Sequence, residues 1–273
     1  MDISATNAFI VTNTGILPQS ELNILRFKSE HSIYEVIRII DGVALFLEEH
    51  FDRLVSSAQM YGFHFSMEFS VFRHNITELV RLNQVKNCNV KFALSEKQNK
   101  IQWLFSIISH SYPDSNDYQQ GVATDLIYAE RENPNVKIIQ NSIRERASQM
   151  TADQKLFEAL LVDRNGMITE GSRSNVFFVK DNIFYTAPAS AVLIGITRQK
   201  VIECITELGF KVAVQAISVT DIGSYDAVFL TGTSPKVLPI RSIGQFEFNA
   251  QLLVVKELID CYNRMIDRYI KTH

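Results

Sequence analysis

Apolar and polar positions follow two rhythms in the first part of the chain. Residues 34–40 and 43–46 are apolar, β-rich runs separated by Asp41-Gly42, the dipeptide of a type I′ turn, and together they predict a hairpin. The period then lengthens. Leu47, Phe51, Leu54, Val55 and Ala58 recur at helical spacing, with Glu48 and Glu49 at the end of the helix where the backbone dipole favours negative charge. Gly62 terminates this predicted helix after Tyr61. A second amphipathic helix is predicted over residues 71–82, and strands over 89–94 and 101–108 joined by a polar turn at 95–100.

Tyr112-Pro113-Asp114-Ser115-Asn116-Asp117 interrupts both rhythms with turn-forming residues and predicts a boundary, giving lobes over residues 1–115 and 120–273. Beyond it a strand is predicted over 121–129 and a helix over 138–150, which residues 155–161 could resume. Short strands follow at 159–163, 167–169, 176–179 and 183–185. A helix headed by Thr197 runs to Leu208, strands follow at 211–216 and 227–230, and a helix over 251–269 closes the chain. The expected class is α/β (α+β) with two lobes.

Composition narrows the function. The 273 residues are 46% apolar and 21% charged, with Pro and Gly scarce, which predicts a chain folded throughout. A net charge of −3 and the lack of a Lys/Arg stripe argue against nucleic acid. The sequence contains no run of eighteen apolar residues and no signal-like start, so no membrane partner and a cytoplasmic address are expected. Cys88, Cys204 and Cys261 match no zinc or redox spacing and read as buried thiols, and the scattered histidines predict no metal site.

Three polar segments stand out from ordinary punctuation. Gly195-Ile196-Thr197-Arg198 leads into a helix and offers free amides, a hydroxyl and the positive dipole end to an anion, although Thr is also simply a good cap. Thr231-Gly232-Thr233-Ser234-Pro235 follows an apolar strand and suits either a nest for an anion or a plain loop. Thr169-Glu170-Gly171-Ser172-Arg173-Ser174-Asn175 lies between apolar strands, and a buried carboxylate at Glu170 would require a cationic partner. Lys137, after Asn133-Pro134-Asn135-Val136, is by itself one basic residue among many.

These segments, in this order with Tyr34-Glu35-Val36-Ile37-Arg38, Glu49-His50-Phe51-Asp52-Arg53-Leu54 and Leu193-Ile194, resemble the class IV aminotransferases of pyridoxal-phosphate fold type IV. That family includes branched-chain and D-amino-acid aminotransferases and aminodeoxychorismate lyases. The resemblance implies a small N-terminal α/β lobe, a larger C-terminal lobe with a β-barrel-like core, a homodimer, and pyridoxal 5′-phosphate as cofactor. Lys137 then resembles the lysine that binds the cofactor covalently and moves the substrate proton, and Glu170 the carboxylate that keeps the pyridine nitrogen protonated. Arg53, the Ile196 and Thr197 amides, the Thr197 hydroxyl and Thr233 resemble the phosphate ligands, and Leu193 the residue packed on the ring. Tyr34, Arg38, Thr233 and Ser234 match substrate-pocket positions. Residues 101–110 contain no Arg, and Arg173 is the candidate cation for the substrate carboxylate. The implied reaction moves an amino group between an amino acid, apolar or branched-chain and of the L series, and a 2-oxo acid such as 2-oxoglutarate. A lyase releasing pyruvate and a D-amino-acid aminotransferase are the alternatives.

Overall fold

A computed structural model describes residues 8–23, 32–97, 100–131, 134–138 and 141–273. They form two compact units, one of Met1–Ser111, Val136–Ile139 and Arg268–His273, the other of Tyr112–Asn135 and Gln140–Asp267. The segment around Lys137 therefore belongs to the first unit, along with the last residues of the chain.

The first unit contains β1 (Phe9–Thr12), β2 (Gly15–Pro18), β3 (Ile33–Ile40), β4 (Val43–Ala44), α1 (Leu47–Tyr61), α2 (Phe69–Leu82), β5 (Cys88–Lys97) and β6 (Lys100–Ile108). Its antiparallel sheet has the order β2-β1-β6-β5-β3-β4. Asp41 and Gly42 both adopt positive φ, 51° and 85°, as a type I′ turn requires. Strand alternation sends Ile33, Ile37 and Ile39 into a core shared with Leu54 of α1 and Phe72 and Leu79 of α2. Phe72, Phe92 and Phe105 form its centre, with ring centroids 4.7–5.3 Å apart. Burying each such ring contributes roughly 1.5–3 kcal/mol. The strands β5 and β6 run further than predicted, taking in most of the expected 95–100 turn, of which residues 98–99 lie outside the described ones.

The second unit contains α3 (Ser115–Gln120), β7 (Val122–Tyr128), α4 (Asn141–Gln154), β8 (Glu158–Val162), β9 (Met167–Gly171), β10 (Asn175–Lys180) and β11 (Ile183–Thr186). After these come α5 (Ile196–Glu207), β12 (Lys211–Val214), β13 (Ile217–Ser218), β14 (Ala227–Gly232), β15 (Lys236–Ile243), β16 (Phe246–Glu247) and α6 (Leu253–Thr272), whose end packs in the first unit. A mixed sheet of order β12-β11-β10-β14-β15-β7-β8-β9-β13 curls as half a barrel around Val176, Phe178, Leu230, Leu238 and Ile240.

Three expectations change here. The boundary turn contains α3, because the Asp114 and Asp117 side chains each accept the other's backbone N–H in a capping box. Residues 155–161 do not resume a helix. Lys155 turns to φ 57°, and β8 from Glu158 is buried at every position, so its backbone is satisfied by sheet pairing. The helix predicted from 138 starts at Asn141, with residues 139–140 outside the described ones, while Ile138 bridges to Ile33. Among the described residues no helix is long and apolar enough to cross a membrane.

Candidate active site

Alternation along β3 places Glu35 on the helix-covered face between isoleucines. A buried carboxylate there requires a cation, and α1 provides one. Arg53 Nε and Nη2 donate to its two oxygens at 2.8 and 2.6 Å, and His50 Nδ1 lies 2.8 Å from Oε2. Burial pushes the Glu35 carboxyl up, but the Arg53 charge and the bonds from His50 and Arg53 outweigh it and hold it well below the usual carboxylate range. Burial draws His50 down, reinforced by the charges of Arg53 and Lys137 against the pull of Glu35.

The other face of β3 carries Tyr34, Val36 and Arg38. Tyr34 N–H donates to the Lys137 carbonyl at 3.1 Å, which ties the lysine's backbone alongside the strand. Two ammonium groups approach the Tyr34 ring, Lys137 Nζ at 4.9 Å and Lys91 Nζ at 5.6 Å from its centroid. Lys91 comes from β5, opposite Val36 in register. Tyr34 packs with Ala93, Leu104 and Val36, so this face places two cations beside apolar surface.

In the second unit Glu170 is buried near the end of β9. Arg131 Nε lies 2.8 Å from Oε1, while Oε2 accepts from Leu193 N–H at 3.2 Å and is 3.5 Å from Asn175 Nδ2. Asn175 Nδ2 also donates to the Leu193 carbonyl at 2.9 Å, and Asn175 pairs with Thr231 across the β10–β14 ladder. Gly195 precedes α5, and a Cβ there would collide with Asn175 Oδ1. The cap of α5 is thus Gly195 and not Thr197, which sits inside the first turn. That turn contains no acidic residue, and no side chain caps it. Its amides have no partner within the helix and lie at the positive dipole end. Nearby polar atoms are buried without a bond: Arg198 Nε, whose guanidinium donates from Nη2 to Ala187 O at 3.0 Å, and Thr231 Oγ1. Burial draws Arg198 down against the charge of Glu170.

A family profile for class IV amino-transferases matches residues 32–243. The chain belongs to this family. The D-alanine aminotransferase of Bacillus licheniformis is 29% identical over 226 residues, 77% of this chain and 78% of that protein. A probable branched-chain-amino-acid aminotransferase of Rickettsia bellii is also 29% identical over 226 residues, 78% of each. Among solved structures, the branched-chain amino acid aminotransferase of Escherichia coli superposes with a TM-score of 0.84 at 22% identity over 95% of each chain. Class IV aminotransferases are enzymes that use pyridoxal phosphate.

The residues singled out in the sequence fall into two groups. Lys137, Tyr34, Arg38 and Arg53 are in the first unit, where Lys137 and Tyr34 touch and Arg53 is engaged by Glu35. Glu170, Leu193, Ile196, Thr197, Arg173, Thr233 and Ser234 are in the second. There Glu170 and Leu193 are hydrogen bonded, α5 starts beside them, and Thr233 and Ser234 form the turn from β14 to β15. Arg173 is exposed and donates to Phe157 O at 3.1 Å, so the guanidinium on Glu170 is that of Arg131. Sequence reasoning missed Arg131 and Lys91, and assigned no role to Asn175 and Arg198 although both lie in the polar segments it singled out. Glu35 and its partners were legible in principle, since an acidic residue in phase with three isoleucines requires a cation.

Proposed function

We propose that this chain is a pyridoxal-phosphate-dependent aminotransferase moving an amino group between an apolar L-amino acid, branched-chain included, and a 2-oxo acid such as 2-oxoglutarate. The observation that carries the reading is Lys137, an ammonium tied to a strand edge over the Tyr34 ring. The fit to the cofactor is supported in the second unit by the uncapped start of α5 with buried, unbonded Thr231 Oγ1 and Arg198 Nε, atoms suited to an anionic group. Pyridoxal phosphate, when bound, supplies the sink for the electrons released as the substrate Cα proton leaves.

In this reading Lys137 Nζ holds the cofactor covalently, takes the proton from substrate Cα and returns it. Glu170 holds the proton on the ring nitrogen. Arg53, the Ile196 and Thr197 amides, the Thr197 hydroxyl and Thr233 hold the phosphate, and Leu193 packs on the ring. Lys91 supplies a cation for the substrate carboxylate beside Tyr34, a role for which Arg173 was the candidate in the sequence, and Val36, Ala93 and Leu104 take an apolar side chain. Arg38, Thr233 and Ser234 complete the substrate contacts. The working form is a cytoplasmic homodimer.

The test is spectroscopic. Purified protein with pyridoxal phosphate should be yellow, Lys137→Ala should lose the band of the lysine-bound cofactor, and L-leucine, L-isoleucine or L-valine should bleach it, with 2-oxoglutarate restoring it. A protein that takes up no cofactor would sink the reading. Bleaching by D-alanine alone would reverse the enantiomer, and pyruvate released from 4-amino-4-deoxychorismate without an acceptor would make it a lyase.

A further inference from the structure

Glu170 is given its pyridine-nitrogen role by the reading above, and the inference here rests on that reading. Its carboxylate is among the most buried acidic groups in the second unit, and both oxygens are engaged by groups of its own unit. Leu193 N–H and the Asn175 amide are neutral donors that aim Oε2. Arg131 is different: a full positive charge 2.8 Å from Oε1, itself largely buried, with its fork also bound to the Ser172 carbonyl at 3.1 Å. One guanidinium thus holds both the carboxylate and the bend that follows β9.

We propose that Arg131 is the positioning residue that keeps Glu170 anionic and oriented, and thereby assigns the shared proton to the cofactor ring nitrogen and not to the carboxylate. The physical reason is a competition. A buried carboxylate with only neutral donors is costly and relieves that cost by taking up a proton. A carboxylate in that state no longer favours a protonated ring. A permanently charged guanidinium removes the option, and its second arm, bound to the Ser172 carbonyl, holds that charge in place beside the carboxylate. Arg198, the other buried guanidinium near Glu170, is bound to the Ala187 carbonyl and acts on Glu170 only through space.

The experiment compares wild type, Arg131→Met, Arg131→Lys and Glu170→Gln as holoenzymes reconstituted with pyridoxal phosphate labelled at the ring nitrogen. Two quantities are read: the ¹⁵N chemical shift of that nitrogen and the cofactor dissociation constant. In wild type the nitrogen should be protonated. Arg131→Met should move the shift toward the neutral-ring value, in the same direction as Glu170→Gln, and weaken cofactor binding about tenfold or more, the effect of leaving the buried Glu170 charge without its ion-pair partner. Arg131→Lys should fall between, and serves alone if the Met variant does not fold. A purely structural arginine would lower thermal stability while leaving the ¹⁵N shift unmoved. An Arg131 variant that folds and keeps the wild-type shift and affinity, while Glu170→Gln changes both, overturns the proposal. Insensitivity of Glu170→Gln as well overturns the assignment of Glu170 instead.

Discussion

At the scale of single residues, the Glu35 cluster is where charge and burial oppose each other most directly. Replacing Glu35 by Gln leaves Arg53 without its buried carboxylate and should cost about 3–5 kcal/mol in chemical denaturation at neutral pH. The pH dependence follows from the directions of the shifts. Glu35 titrates lower folded than its ordinary 4.5, so its contribution is complete above that value and is lost as the pH falls through it toward the folded value. His50 is also drawn down from 6.5, so the unfolded chain binds that proton more readily and stability begins to fall below 6.5. Wild type should therefore weaken on acidification in two stages, and the gap to Glu35→Gln should narrow below pH 4.5. A constant gap would show that Glu35 is not ionised in the fold. By contrast Arg131 was illegible, because only the long-range return of β9 brings it to Glu170.

Elements were legible where their signals are local. The Asp41-Gly42 hairpin, α1 with its acidic start and Gly62 stop, and α5 each carry their own turn chemistry, and they form close to where the periodicity puts them. Strand β15 was missed because Pro239 argues against a strand in an apolar run; β15 pairs with β7 only from Ile240 onward, so the proline lies outside that ladder. Two predictions belong here. Asp114→Ala removes the capping box of α3 and should cost about 0.5–2 kcal/mol in unfolding free energy with kcat and KM unchanged. Gly195→Ala should act in the opposite sense, displacing Asn175 at the start of α5 and weakening cofactor affinity more than stability, measured by titration with pyridoxal phosphate. Equal affinity in the alanine variant would separate the Gly195–Asn175 contact from cofactor binding.

For the molecule as a whole, a cofactor that binds only the folded state should raise the melting temperature as its concentration rises, stabilising the fold by about 2.7 kcal/mol at a hundredfold excess over Kd. Fold class was legible because the two element patterns differ, one sheet with α1 and α2 and one long mixed sheet. Membership of the units was not. Residues 136–139 and 268–273 pack in the first unit although the chain around them is in the second. Tyr269 packs its ring, tilted, against Phe46 at 5.0 Å, donates to Glu48 at 2.7 Å and accepts from Leu47 N–H at 3.2 Å, at the start of α1. During synthesis, then, the N-terminal sheet leaves the ribosome long before the tyrosine that seals the head of its first helix. That unit must wait, incompletely packed, until the second has been made, and a protease added to chains stalled before Tyr269 should detect this as cleavage near residue 46.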